Sequence, residues 1–169
     1  MHDIEVVSIK SDSISIINTT IPSLPKGLNS LRGTTLPDHD LLVSGGHLIE
    51  GNEDYLRSDE YLRFSQDSKQ WKKVGTMKMA RLDHSSVLMN GGLYSVGGKA
   101  SSWNGTSHHE VLNLDGWIGW NFLRVEEKKE LPIALSGHTA NKLDENKYMV
   151  IGGLDKNVSK QIQIIKIDE

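Results

Sequence analysis

The chain has no cysteine. That excludes disulfides, thiolate metal sites and cysteine nucleophiles together, and it points to the cytosol, where disulfides are rare. No apolar run approaches the roughly 20 residues that a membrane-spanning helix needs, so no membrane partner is expected. A surplus of positive charge is also missing: 19 Lys and Arg face 22 Asp and Glu, for a formal net charge of −3 and a pI near 6.2. Nucleic-acid binding favours a clustered basic surface, so none is expected. The opening residues Met1-His2-Asp3-Ile4-Glu5 carry acids where a signal peptide would be basic and then apolar. A cytoplasmic location is expected, with secretion as the alternative. In a secreted chain the triplets at Asn18, Asn104 and Asn157 would be glycosylation acceptors.

Nucleotide motifs are missing as well. Gly92 to Lys99 looks superficially like a phosphate loop, but Lys99 is followed by Ala100, and Leu93 stands where the pattern needs glycine. No G-x-G-x-x-G occurs. No cofactor is expected. His108-His109-Glu110 invites a metal reading, yet adjacent residues on a strand point to opposite faces, so one ion cannot easily use both histidines. No metal site is expected.

What the chain does have is glycine in pairs. Its 169 residues, 37% hydrophobic and 24% charged with a mean hydropathy of −0.40, suit one globular domain. Gly45–Gly46, Gly97–Gly98 and Gly152–Gly153 each close a short apolar run, and they begin 52 and 55 residues apart. Between them lie short strand candidates bounded by Gly, Asn, Asp and Ser. In the clearest stretch, 84–89 and 93–96 flank Asn90-Gly91, a strong hairpin signal. Strands at 110–114 and 120–125 follow. The preceding stretch repeats the plan with 33–36, 41–44, 60–64 and 70–74. The last has 138–143, 148–151 and 161–167, while 4–9 and 14–17 supply a third and a fourth strand type at the start. Thirteen strands are expected.

A period of about 50 residues is that of kelch repeats, and the residues match the pattern in detail. Arg81 and His84 precede a strand that leads to Gly97–Gly98, Tyr61 is followed by Trp71, and His138 and Gly152–Gly153 follow Trp120. The chain thus resembles the kelch-repeat β-propeller family over about residues 1–167. There are departures: Arg32-Gly33-Thr34 stands where the first repeat should have its histidine, and Leu112 where Tyr61 predicts an aromatic. The resemblance implies an all-β, partial kelch-type propeller of about three four-stranded antiparallel blades. Residues 1–20 end a preceding blade, 21–76 and 77–128 are blades, and 129–169 is an incomplete one. Gly45, Gly46, Gly97, Gly98, Gly152, Gly153, Trp71, Trp120, His84 and His138 are expected to be architectural. The tryptophans should wedge between blades.

Propellers usually have four to eight blades. Three account for a piece of a longer kelch protein, an open propeller, or half of a two-chain ring, and the first is favoured. In each case the Ile-rich terminal strand presents an edge that recruits other strands, and self-association is expected. Functionally, the resemblance implies a non-enzymatic module, scaffold or adaptor that holds another protein. The rim at the ends of the second strands, where kelch proteins usually bind, carries Tyr55, Arg57, Arg81, Trp103 and His108. Arginine and aromatic side chains dominate interface energies. Asn90 and Asp115 mark the opposite rim. The alternative is a kelch-fold enzyme such as a sialic acid mutarotase.

Overall fold

The computed structural model describes residues 6–10, 13–17, 21–48, 56–100, 104–114, 125–128, 130–155 and 159–167. Among these residues it is all-β, with fifteen strands, β1 to β15 in chain order. β1 (Val6–Lys10) and β2 (Ser13–Ile17) pair with each other. β3 (Leu28–Asn29) pairs with β6 (His47–Leu48). The first four-stranded blade is β4 (Arg32–Thr35), β5 (Leu41–Ser44), β7 (Glu60–Ser65) and β8 (Gln70–Thr76), in that spatial order. The second is β9 (Ser85–Met89), β10 (Gly92–Val96), β11 (His109–Asn113) and β12 (Val125–Glu127). The third has β13 (Thr139–Asp144), β14 (Lys147–Ile151) and β15 (Ile162–Lys166). Every pairing is antiparallel. No helix among the described residues is long and apolar enough to cross a membrane.

Local chemistry accounts for the strands. Asn90 and Gly91 both take positive φ, 47° and 63°, as a two-residue hairpin turn requires. They set Met89 opposite Gly92 and fix the register of β9 on β10. β10 is buried at every position, because a central blade strand is covered on both faces. The fourth strand of the second blade pairs through Val125–Glu127, and Trp120, expected to open it, lies outside the described residues.

Packing between blades follows one plan. Leu42, Tyr61, Val74, Leu93 and Leu112 form the core between the first two blades. Tyr94, Val96, Leu135, Tyr148 and Val150 form the next. The first two glycine pairs each join their blade to the neighbour. The Gly97 amide donates to the His108 carbonyl of its own blade, and the Gly98 amide to the Leu135 carbonyl of the next. Gly45 and Gly46 make the matching bonds to the carbonyls of Glu60 and Arg81. A Cβ on Gly97 would stand 2.7 Å from His138 Cε1, and one on Gly98 would stand 2.8 Å from His84 Cβ. The approach is that close, and φ is +60° and +95°, so only glycine fits.

The strand registers also correct two readings. Asn29, Leu82 and Ser136 each pair with the residue that follows a glycine pair, so Leu31 fills the place of His84 and His138 in the first blade. His109 pairs with Val96 as Tyr61 pairs with Ser44, so His109, not Leu112, fills the aromatic position. Trp71 is a further correction. It is half-buried on the outermost strand, packs on its cross-strand partner Phe64 with ring centroids 5.4 Å apart, and donates Nε1–H to the Pro22 carbonyl at 2.9 Å. These contacts clip the chain before β3 to its own blade.

Candidate functional site: the rim at the glycine pairs

Antiparallel pairing brings the start of each first strand to the end of each second strand: Arg32 faces Ser44, Ser85 faces Val96 and Thr139 faces Ile151. Thr76 closes β8 beside Glu60, so the connections between blades reach the same rim. The rim therefore gathers the segments after Gly46, Gly98 and Gly153 with the approaches to β9 and β13.

Of the residues expected to meet a partner there, Arg81 has the opposite environment. Its side chain is fully buried. The guanidinium spends its donors on the chain itself: Nε to the Met79 carbonyl at 3.2 Å, and Nη1 to the carbonyls of Gly97 and His108 at 2.8 and 2.9 Å. Nη2 reaches Glu110 Oε1 at 2.7 Å and also bonds His108 Nδ1. Since arginine only donates, Nδ1 is the acceptor. Glu110 is equally buried, and its second oxygen accepts the Lys78 amide at 2.7 Å. Desolvation pulls the Arg81 pKa down, and the Glu110 carboxylate opposes that. Arg81 thus cross-braces the rim and does not face out from it. In the sequence Glu110 invites only a metal reading with His108 and His109, because its partner Arg81 lies 29 positions away.

His108 is half-buried against Arg81, so two of the expected rim residues meet, in an internal network. His109 turns the other way and is buried. Tyr148 Oη lies 3.1 Å from its Nε2, across the blade boundary. Tyr61 makes the corresponding contact one blade earlier, its Oη 2.8 Å from Ser95 Oγ. Burial raises the pKa of both tyrosines above the ordinary phenol value. Arg57 is half-buried in a bridge to His47, and Tyr55 and Trp103 lie outside the described residues. Among the described residues, no three His, Asp or Glu side chains gather as a metal-binding group.

His84 and His138 are buried neutral imidazoles. His84 Nε2 is 3.0 Å from Ser44 Oγ of the preceding blade, and Ser85 Oγ donates to the His138 carbonyl at 2.9 Å. Desolvation, with the Arg81 charge second, holds His84 well below the usual imidazole pKa. Desolvation likewise brings His138 down to about 4.

No family model matches the chain. It is 34% identical over 80 residues to Kelch-like protein 35 of Mus musculus, covering 47% of this chain and 12% of that protein. It is 23% identical over 141 residues to N-acetylneuraminate epimerase of Salmonella arizonae, covering 83% of this chain and 35% of that one. The solved structure of YjhT superposes with a TM-score of 0.66 at 14% identity, covering 88% of this chain and 54% of that one. The chain thus spans at most about half of each of these three proteins. With its repeated glycine pairs and antiparallel sheets, the chain has the fold of a kelch-type β-propeller, of which the described residues build two four-stranded blades and one three-stranded one.

Proposed function

We propose that the chain is a non-enzymatic kelch-type binding module that holds another protein at the glycine-pair rim, as one part of a ring completed by further blades. The observation that carries this reading is apolar exposure on two segments of that rim. Leu56 is 47% exposed beside Arg57, on the segment after the first glycine pair, and Leu154 is 44% exposed directly after the third. Exposed leucines, one of them beside an arginine, are groups that protein interfaces cover. Arg81 and Glu110 neutralise each other inside the blade and present no charge to the rim. The similarity to Kelch-like protein 35 supports an interaction role.

A second reading, a kelch-fold enzyme such as a sialic acid mutarotase, is favoured by the similarity to N-acetylneuraminate epimerase. Proton NMR of N-acetylneuraminate anomers separates the two. The binding-module reading expects equilibration at the buffer rate, and acceleration by the protein overturns it.

A further inference from the structure

The opposite rim, where the hairpin turns lie, carries a cleft of about 750 Å³. It is bounded by the β4–β5 and β7–β8 turns of the first blade and the β9–β10 turn of the second, with Lys142 of the third at its edge. That volume falls within the range of ordinary ligand pockets, about 300–1,000 Å³. Its floor is apolar, built from Leu36, Leu88 and Leu114. Leu36 is buried, and the other two are half-buried against the core between the blades.

The walls are acidic. Arg63 holds Asp40 through Nε at 2.6 Å and Asp38 through Nη2. Asp40 is spent further on the Gln66 amide at 2.8 Å. Asp38 stays about half exposed despite its contact with Arg63. Asp67 is exposed on the β7–β8 turn and has no cationic partner among the described residues. Lys142 does not offset them, because Glu145 takes its ammonium through both oxygens at 2.8 and 2.9 Å. The cleft therefore pairs an apolar floor with two accessible carboxylates.

A side chain that lays methylenes on leucine and ends in a cation matches both features, as lysine and arginine do. We infer that this cleft takes a lysine- or arginine-bearing segment of a partner protein, flanked by apolar residues. It is a second docking surface, on the rim opposite the glycine pairs. Arg63 acts as a positioning residue that fixes Asp38 over the floor.

The test is fluorescence anisotropy with a labelled, end-blocked peptide of leucines around a central arginine, against the same peptide with glutamate in its place. The arginine peptide should bind saturably. Binding should weaken roughly fivefold or more in Asp67→Lys and on raising salt from about 0.05 to 0.5 M. Asp67→Lys adds a charge on an exposed turn, and circular dichroism verifies that it folds; Asp67→Asn gives a second, milder loss. Leu56→Ser, on the other rim, should leave the affinity unchanged. Equal binding of the glutamate peptide, an unaltered affinity in both Asp67 variants, or an equal loss in Leu56→Ser overturns the inference.

Discussion

The imidazole of His138 closes on Gly97 of the preceding blade so tightly that a methyl group on that glycine would sit 2.7 Å from Cε1. The Leu135 carbonyl blocks it from a second side, also at 2.7 Å. Gly137 adopts a similar φ, 62°, but has nothing within 4 Å of the place its Cβ would take. Gly137→Ala should therefore cost only the backbone strain of a left-handed alanine, about 1 kcal/mol. Gly97→Ala should cost at least about 2 kcal/mol more, because the blades must part. Denaturant melts of the two variants side by side measure the difference.

Stability should fall with acid, because His84 and His138, whose pKa values burial lowers, must charge when the chain unfolds. His138 has a folded pKa of about 4, His84 lies well below the usual value, and both return to about 6.5 in the unfolded chain. Below pH 6.5 the unfolded state binds the extra protons. Stability is thus full above pH 6.5 and declines towards pH 4, by about 1.4 kcal/mol per pH unit for each histidine. Unfolding free energies at pH 7.5, 6 and 5 should trace this slope, and His138→Gln should remove about half of it.

The ion pair of Arg81 and Glu110 has no counterpart in its neighbours. By register the place of Glu110 is Leu62 in the first blade, and the place of Arg81 before β13 is Leu135. Breaking a buried pair by removing one partner strands the other charge, so Arg81→Leu or Glu110→Leu should each cost about 3–5 kcal/mol. The double variant copies the first blade, whose matching residues are Leu28 and Leu62, and should recover most of that loss. A double-mutant cycle by thermal melting gives the coupling.

Ile162 occupies the register position through which Tyr61 and His109 reach the next blade. Here it is 62% exposed, as is Ile164. An apolar face beside a sheet edge recruits other chains. The isolated chain should self-associate with rising concentration, and Ile162→Lys with Ile164→Lys should shift it towards monomer. Sedimentation velocity measures both.

The repeat was legible in the sequence because one structural demand, glycine at a blade-to-blade junction, recurs with visible spacing. The shared rim followed from strand alternation alone. Which residue faces which blade was not legible. The sequence places Arg81 in a loop, and loop arginines are usually solvated, but burial depends on Glu110, 29 positions away. Trp71 looked like an inter-blade wedge from its type, yet its strand is outermost and its indole finds Pro22 instead. The hairpin-rim cleft was equally hidden, since it needs turns from two blades and Lys142 from a third. Asn90, marked only as the far rim, lines that cleft, and Asp115 lies outside the described residues.

The central claim is that the glycine-pair rim binds a protein. Cross-linking affinity capture tests it most directly, with wild-type bait, a Leu56→Asp, Arg57→Ala, Leu154→Asp triple variant, and Gln70→Ala on an outer strand as control. The predicted result is one protein captured by the wild type and the Gln70 variant, and reduced at least about tenfold by the triple variant, which removes two apolar contacts and an arginine. Undiminished capture by a folded triple variant would contradict the account.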